Sequence, residues 1–206
     1  MSIEKETWQQ ALERYNNILE MVKPKISPEE HYRFYKISFK EKETKERIAE
    51  FEKKYNCTIP QSLKSLYLGN GTFSVKDGLW NSINIYSNQE NHYSLPNIGG
   101  LVEMIDQLWG GRPEFEENFS VEEIGYLNKN YFVFGHYFHD DNVYSHFYFD
   151  RDGNFEDVMY DQDDFGSAYD FFFKPLLTKS LANKTFDELI SSKIDKVIEN
   201  LKEEFS

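Results

Sequence analysis

The densest run of chemistry-bearing side chains is GHYFHDDNVYSH, residues 135–146, with three histidines and two aspartates. Imidazole and carboxylate are the side chains that hold zinc and other divalent metals. Whether they converge depends on the backbone beneath them. The run reads as a hairpin, with strand YFVFGHYF (131–138), loop HDDN and strand VYSHFYF (143–149). A four-residue loop pairs Phe138 with Val143 and His136 with Ser145. Phe132, Phe134, His136, Phe138, Val143, Ser145, Phe147 and Phe149 then share one face. Tyr131, Val133, Tyr137, Tyr144, His146 and Tyr148 share the other. Side chains alternate with period two, so His136 and His146 fall on opposite sides, and a one-residue change of loop length would reunite them. In this register His136, His139 and His146 form no metal site, and neither a metal nor a cofactor is expected.

A second candidate is DRDGNFEDVMYD, from Asp150. A calcium loop of the EF-hand type needs Gly at its sixth position and an acid, usually Glu, at its twelfth. Here Gly is fourth, Phe155 is sixth and Asp161 is twelfth, so the stretch is a hairpin turn. The carboxylates around it are numerous. From 139 to 164 there are nine acids and one base, Arg151. Paired carboxylates can do acid–base work in a cleft, but no nucleophile or phosphate-binding loop accompanies these, and they lie on turns. Cys57 has no local signature of a catalytic thiol. The expectation is a protein that is not an enzyme.

Two readings of the acids stay open, a docking rim and plain solubility. The net charge is −13, and residues 57–164, with 5 Lys/Arg and 18 Asp/Glu, hold a surplus of that same size. Such a field repels nucleic acid and anionic membrane and attracts basic proteins. As a rim, Asp140, Asp141, Asp161, Asp163 and Asp164 are the candidate partner-binding residues. Trp109, Tyr137 and Tyr144 are candidate apolar anchors, since interface hot spots favour Trp and Tyr.

The elements that must position these groups are legible in outline. Residues 7–22 and 42–55 carry apolar side chains at helical spacing. HYRFYKISFK reads as a linker with a short strand. In KKYNCTIPQSLKSLYLGNGTF (53–73), Thr58 suits an N-cap, Pro60 the first helical turn, and Asn70-Gly71 a turn after a Leu-rich helix. SINIYS (82–87) reads as a strand and IGGLVEMIDQLW (98–109) as a helix. Three strands, 131–138, 143–149 and 155–160, are joined by hairpins, the second at Asp152-Gly153. FGSAYDFFFKPLL (165–177) is a short helix. In 185–204, Thr185 and Glu188 form a capping box ahead of an apolar stripe. The Tyr-rich sheet face is either a binding surface or covered by a helix such as 185–204. The N-terminus shows no secretory signal, no run is long enough to span a bilayer, and the single cysteine excludes an intramolecular disulfide. A cytoplasmic protein is expected.

IAEFEKKYNCTIPQSLKSLYLGNG (48–71) resembles the signature of the SUKH superfamily, the cell-wall assembly regulator-like domain. YFVFG, the Asp-Gly hairpin, the strand with Val158 and the Phe-rich helix follow in that family's order. The resemblance covers roughly residues 41–178. It implies an α+β fold with a mostly antiparallel sheet flanked by helices. This chain departs from the family in an N-terminal helical extension (1–40) and a charged, amphipathic C-terminal helix (179–206), expected to pack on the domain. Phe51, Tyr55, Pro60, Leu63 and Gly71 match landmarks that look structural. Bacterial members look like immunity proteins that neutralise a cognate toxin of a polymorphic or contact-dependent system. Fungal relatives are regulatory scaffolds, and members are not generally enzymes. The resemblance therefore implies an immunity protein of the bacterial branch, with a non-enzymatic regulatory or scaffold domain binding a cellular protein as the alternative. The expected partner is a toxin domain, a basic nuclease being one such target because nucleases must grip phosphates.

Overall fold

The computed structural model describes residues 5–37, 39–77, 80–86, 98–139 and 142–205, with backbone alone at Asp77, Trp80, Asn81 and Trp109. Helices α1 (Trp8–Val22), α2 (Lys45–Tyr55) and α3 (Gln61–Gly69) lead into strands β1 (Ser74–Asp77), β2 (Trp80–Ile85) and β3 (Gly99–Gly100). Three helices follow, α4 (Leu101–Trp109), α5 (Arg112–Asn118) and α6 (Val121–Asn130). Then come the long strands β4 (Tyr131–Phe138), β5 (Val143–Asp150) and β6 (Phe155–Asp161). The chain closes with α7 (Phe165–Ala168), a π-helical turn (Tyr169–Phe173), α8 (Lys174–Leu176) and α9 (Phe186–Glu204). The fold is α+β. Its six-stranded sheet has the order β1-β2-β4-β5-β6, with β3 pairing β4 beside β2, and every pairing is antiparallel.

Local chemistry explains the boundaries. Helices α1, α6 and α9 each open with a capping box, on Thr7, Ser120 and Thr185, which satisfies N–H groups that have no intrahelical partner. Thr58 is not a cap: α3 starts at Gln61 with Pro60 in the cap position and no side-chain bond. Gly71 sits at φ +90°, and a Cβ there would run into the Lys40 carbonyl. Gly153 sits at φ +84° in the β5–β6 turn, as the Asp-Gly pair requires.

Helices cover both faces of the sheet. One face presents Phe132, Phe134, Phe147, Phe149 and Phe155 to α1, α2, α3 and α9 in a single core cluster. The other presents Tyr131, Val133, Tyr148, Val158 and Tyr160 to α4, α5, α6 and the 165–176 segment. The Tyr-rich face is therefore covered, but by α4–α8. Helix α9 lies on the Phe face, packed against α1. The sheet's edges are treated unequally. At the β1 edge, Phe39 bridges Phe73, the Lys40 N–H donates to the Thr72 carbonyl at 2.7 Å, and the Tyr15 hydroxyl donates to the Lys76 carbonyl at 3.1 Å. The N-terminal segment thus masks that edge, which would otherwise be a template for unwanted pairing.

Candidate functional site

The hairpin register differs from the expected one. His136 lies opposite His146, Tyr137 opposite Ser145 and Phe138 opposite Tyr144, with an irregularity between Val133 and Gly135. The cause is a bulge: Phe134 and Gly135 together oppose Phe147, which reverses the alternation beyond them. Glycine suits the position, because a Cβ on Gly135 would lie 2.6 Å from the Asn84 carbonyl oxygen. The consequence is that His136 and His146 share the Tyr-rich face. Tyr137 moves to the other face, with Lys193 and Lys196 of α9 above its ring.

The two histidines are reunited in an aromatic layer, His146 fully buried and His136 partly so. His136 Nδ1 and the Tyr86 hydroxyl are 2.6 Å apart, and the rings of Tyr144 and Tyr160 pack around the pair. Burial lowers His136 to about 4, and burial together with the neighbouring His136 lowers His146 to about 3. His139 sits apart, its Nε2 at 2.8 Å from the Ser145 hydroxyl on the Phe face. Among the described residues no group of three or more His, Cys, Asp or Glu is arranged to hold a metal. Burial raises the Cys57 thiol to about 11, far from a reactive thiolate.

The proposed rim is a turn built on its own acids. Asp161 Oδ1 accepts the N–H groups of Asp163 and Asp164 at 2.9 and 3.1 Å. Asp164 caps α7 by accepting the Ser167 N–H at 3.2 Å, and that hydrogen bonding lowers its carboxyl. Asp163 Oδ2 accepts from the Asn142 side chain at 2.8 Å, which ties the end of β6 to the start of β5. No ion pair forms on Asp161, Asp163 or Asp164 among the described residues. Asp140 and Asp141 lie outside the described residues. Trp109 ends α4, and its side chain lies outside them as well. Tyr137 is 4% and Tyr144 6% exposed. Both rings are inside the packed layers, so neither offers an anchor to a partner.

Two features escape sequence reasoning. Helices α5 and α6 have no counterpart in it, although Ser120 and Glu123 spell a capping box that would have marked α6. They matter because the sheet sorts the charge. α4, α5, α6 and residues 161–177, on the Tyr face, carry 11 Asp/Glu and 3 Lys/Arg. α1, α2, α3 and α9, on the Phe face, carry 11 and 9. One helical layer is strongly acidic and the other nearly balanced. The second feature is exposed apolar area on the acidic layer. Phe171, in the π turn, is 73% exposed and Val121 80%. The Phe119–Tyr169 ring contact, with centroids 4.8 Å apart, joins the segments that carry them.

A surface hollow of about 390 Å³ lies between the ends of α2 and α6, lined by Lys54, Tyr55, Glu103 and Lys129. Its polar groups serve the fold: the Tyr55 hydroxyl donates to Glu103 at 3.1 Å, and nearby Arg151 donates to the Lys129 and Asn56 carbonyls that end α6 and α2. No described helix is long and apolar enough to cross a membrane.

No curated protein and no solved structure matches the chain. A family model does, over residues 42–192, which takes in α2 through the first turns of α9 and more than half of the sequence. This agrees with the helix–Ile-Pro–helix–Asn-Gly block and with the sheet flanked by helices, and the chain belongs to the SMI1 / KNR4 family (SUKH-1).

Proposed function

We propose that this protein is a cytoplasmic immunity protein that binds a cognate bacterial toxin domain and covers its active site, without catalysis of its own. The observation that carries this reading is the segregation of acid onto the α4–α8 layer. A basic target, such as a nuclease that must grip phosphates, is complementary to that layer. Asp161, Asp163 and Asp164 are the rim residues of this reading, and Asp140 and Asp141 join them as candidates from the sequence alone. Phe171 and Val121 supply exposed apolar area on the same layer. Trp109, at the end of α4, is the remaining aromatic candidate.

The test begins with the partner captured from the native host and identified. Association kinetics are then measured across salt concentrations for the wild type and for a variant with all five aspartates changed to Asn. Asparagine keeps the acceptor oxygens that build the 161–164 turn. Rim charges mainly steer encounter, so the variant should associate roughly tenfold more slowly at low salt, with a flatter salt dependence. Wild-type rate and slope in a folded variant would reduce the acidic layer to a solubility feature. Capture of a cellular regulator instead of a toxin would replace immunity by a scaffold role.

A further inference from the structure

The β6 edge of the sheet is the opposite of the masked β1 edge. In an antiparallel ladder, residues alternate between bonding the neighbouring strand and pointing away from it. The ends of the β5–β6 ladder set the phase. The Asp150 N–H donates to the Asn154 carbonyl, and the Gln162 N–H donates to the Asn142 carbonyl, both at 3.0 Å. Even-numbered residues between 154 and 162 therefore bond β5. Phe155, Asp157, Met159 and Asp161 turn their backbone groups outward. Phe155 is taken: it exchanges bonds of 2.9 and 3.0 Å with Lys184, in the segment that leads into α9. Beyond it, the Asp157 N–H is occupied by the neighbouring Glu156 carboxylate at 3.0 Å. The Asp157 carbonyl, both groups of Met159 and the Asp161 N–H have no backbone partner among the described residues. Helix α9 covers one face of β6 and α7 with the π turn the other, and no described residue pairs with the rim between them beyond Lys184.

We propose that the outer edge of β6, from Asp157 to Asp161, is a docking site for an extended, basic segment of the protein partner, added to the sheet as a seventh strand. Main-chain bonds give such a contact its affinity, and side chains along the edge give it specificity. Charge selects the occupant. Near Phe155, Lys184 pairs with Glu156 and Asp157, and Lys193 pairs with Asp157 at 2.7 Å. Toward the far end, Asp161, Asp163 and Asp164 pair with no cation among the described residues, so an incoming strand meets rising negative charge. A second copy is disfavoured by the same residues. Two β6 strands paired antiparallel about Met159 would set Asp157 of one against Asp161 of the other, and like charges directly opposite destabilise a pair. The inference rests on the partner-binding reading above and names the edge through which it works.

Met159 provides the test, because its N–H makes no ladder bond and proline is tolerated at outward positions of edge strands. The full chain, as wild type and as Met159→Pro, is probed against an array of twelve-residue peptides of varied charge, with amide exchange followed in solution for the strongest. The wild type should select net-positive, alternating peptides. Their binding should slow exchange at Met159 and Asp161 at least tenfold and should be lost in Met159→Pro. If that variant does not fold, Met159→Lys, which places a repelling cation on the edge, should weaken the same peptides. Peptides without net positive charge, or equal binding to the variants, would overturn the edge site and leave the partner reading standing. Self-association abolished by Met159→Pro would replace the occupant by a second copy. A chain that captures neither a peptide nor a host partner would take the broader reading down as well.

Discussion

Acidification should unfold this protein through two histidines of the aromatic layer, His146 fully and His136 partly buried, before its carboxylates titrate. His136 and His146 lie neutral in the aromatic layer, held to about 4 and about 3 by burial. In the unfolded chain each titrates near its ordinary value of about 6.5. A lowered folded-state pKa means the unfolded chain binds more protons below that value. Stability is therefore complete above about pH 7 and is lost as pH falls. At pH 5 each histidine is protonated when unfolded and neutral when folded. A gap of about 1.5 pH units costs about 2 kcal/mol per group, so the pair costs about 4 kcal/mol. That is a large part of the 5–15 kcal/mol typical of a domain. Most carboxylates are still ionised at pH 5, so the window isolates imidazole. The assay is urea unfolding at pH 8 and pH 5 for the wild type and for His136→Gln/His146→Gln. The remaining histidines are common to both chains and cancel. The wild type should lose about 4 kcal/mol more than the double variant, and His146→Gln alone should recover about half of the difference. Equal losses in wild type and double variant would refute the burial argument.

Other outcomes follow from the same packing. Phe134 is fully buried and touches the rings of Phe147, Phe149, Phe155 and Phe186, so Phe134→Ala should cost about 3–5 kcal/mol in chemical denaturation. Lys193 is buried against Asp157. Lys193→Met should cost about 1–3 kcal/mol, because it removes the nearer cation from Asp157 and leaves only Lys184, at 3.7 Å, whereas Lys193→Met with Asp157→Leu should recover most of that loss. Chelator should leave the melting temperature unchanged, since a metal bound to the native state alone would raise it; a drop of several degrees would restore the His136–His146 pair as a metal-site candidate.

Local rules carried much of the architecture. The Thr185–Glu188 box and the stripe from Phe186 to Leu201 specify α9, and Asp152-Gly153 specifies the last hairpin, because caps and turns depend on residues a few positions apart. The same holds for Gly71, whose positive φ excludes a side chain. Register was not legible from loop length alone, because it hangs on a bulge that shifts every later side chain. Gly135 inside an otherwise unbroken strand was the available signal. That one extra residue buries Tyr137 under α9 and sets His136 beside His146.

The acidity of residues 57–164 is a property of the sequence, but its meaning is tertiary. Chain order alone does not say that α4–α8 fold onto one face of the sheet while α1, α2, α3 and α9 fold onto the other. Which helix covers which face is decided by long-range packing of apolar stripes, to which charge on the outer surface contributes little. The open β6 edge arises in the same way. A strand is an edge only where no other segment pairs with it, and among the described residues that is settled when the N-terminal segment takes the β1 side and Lys184 reaches no further than Phe155.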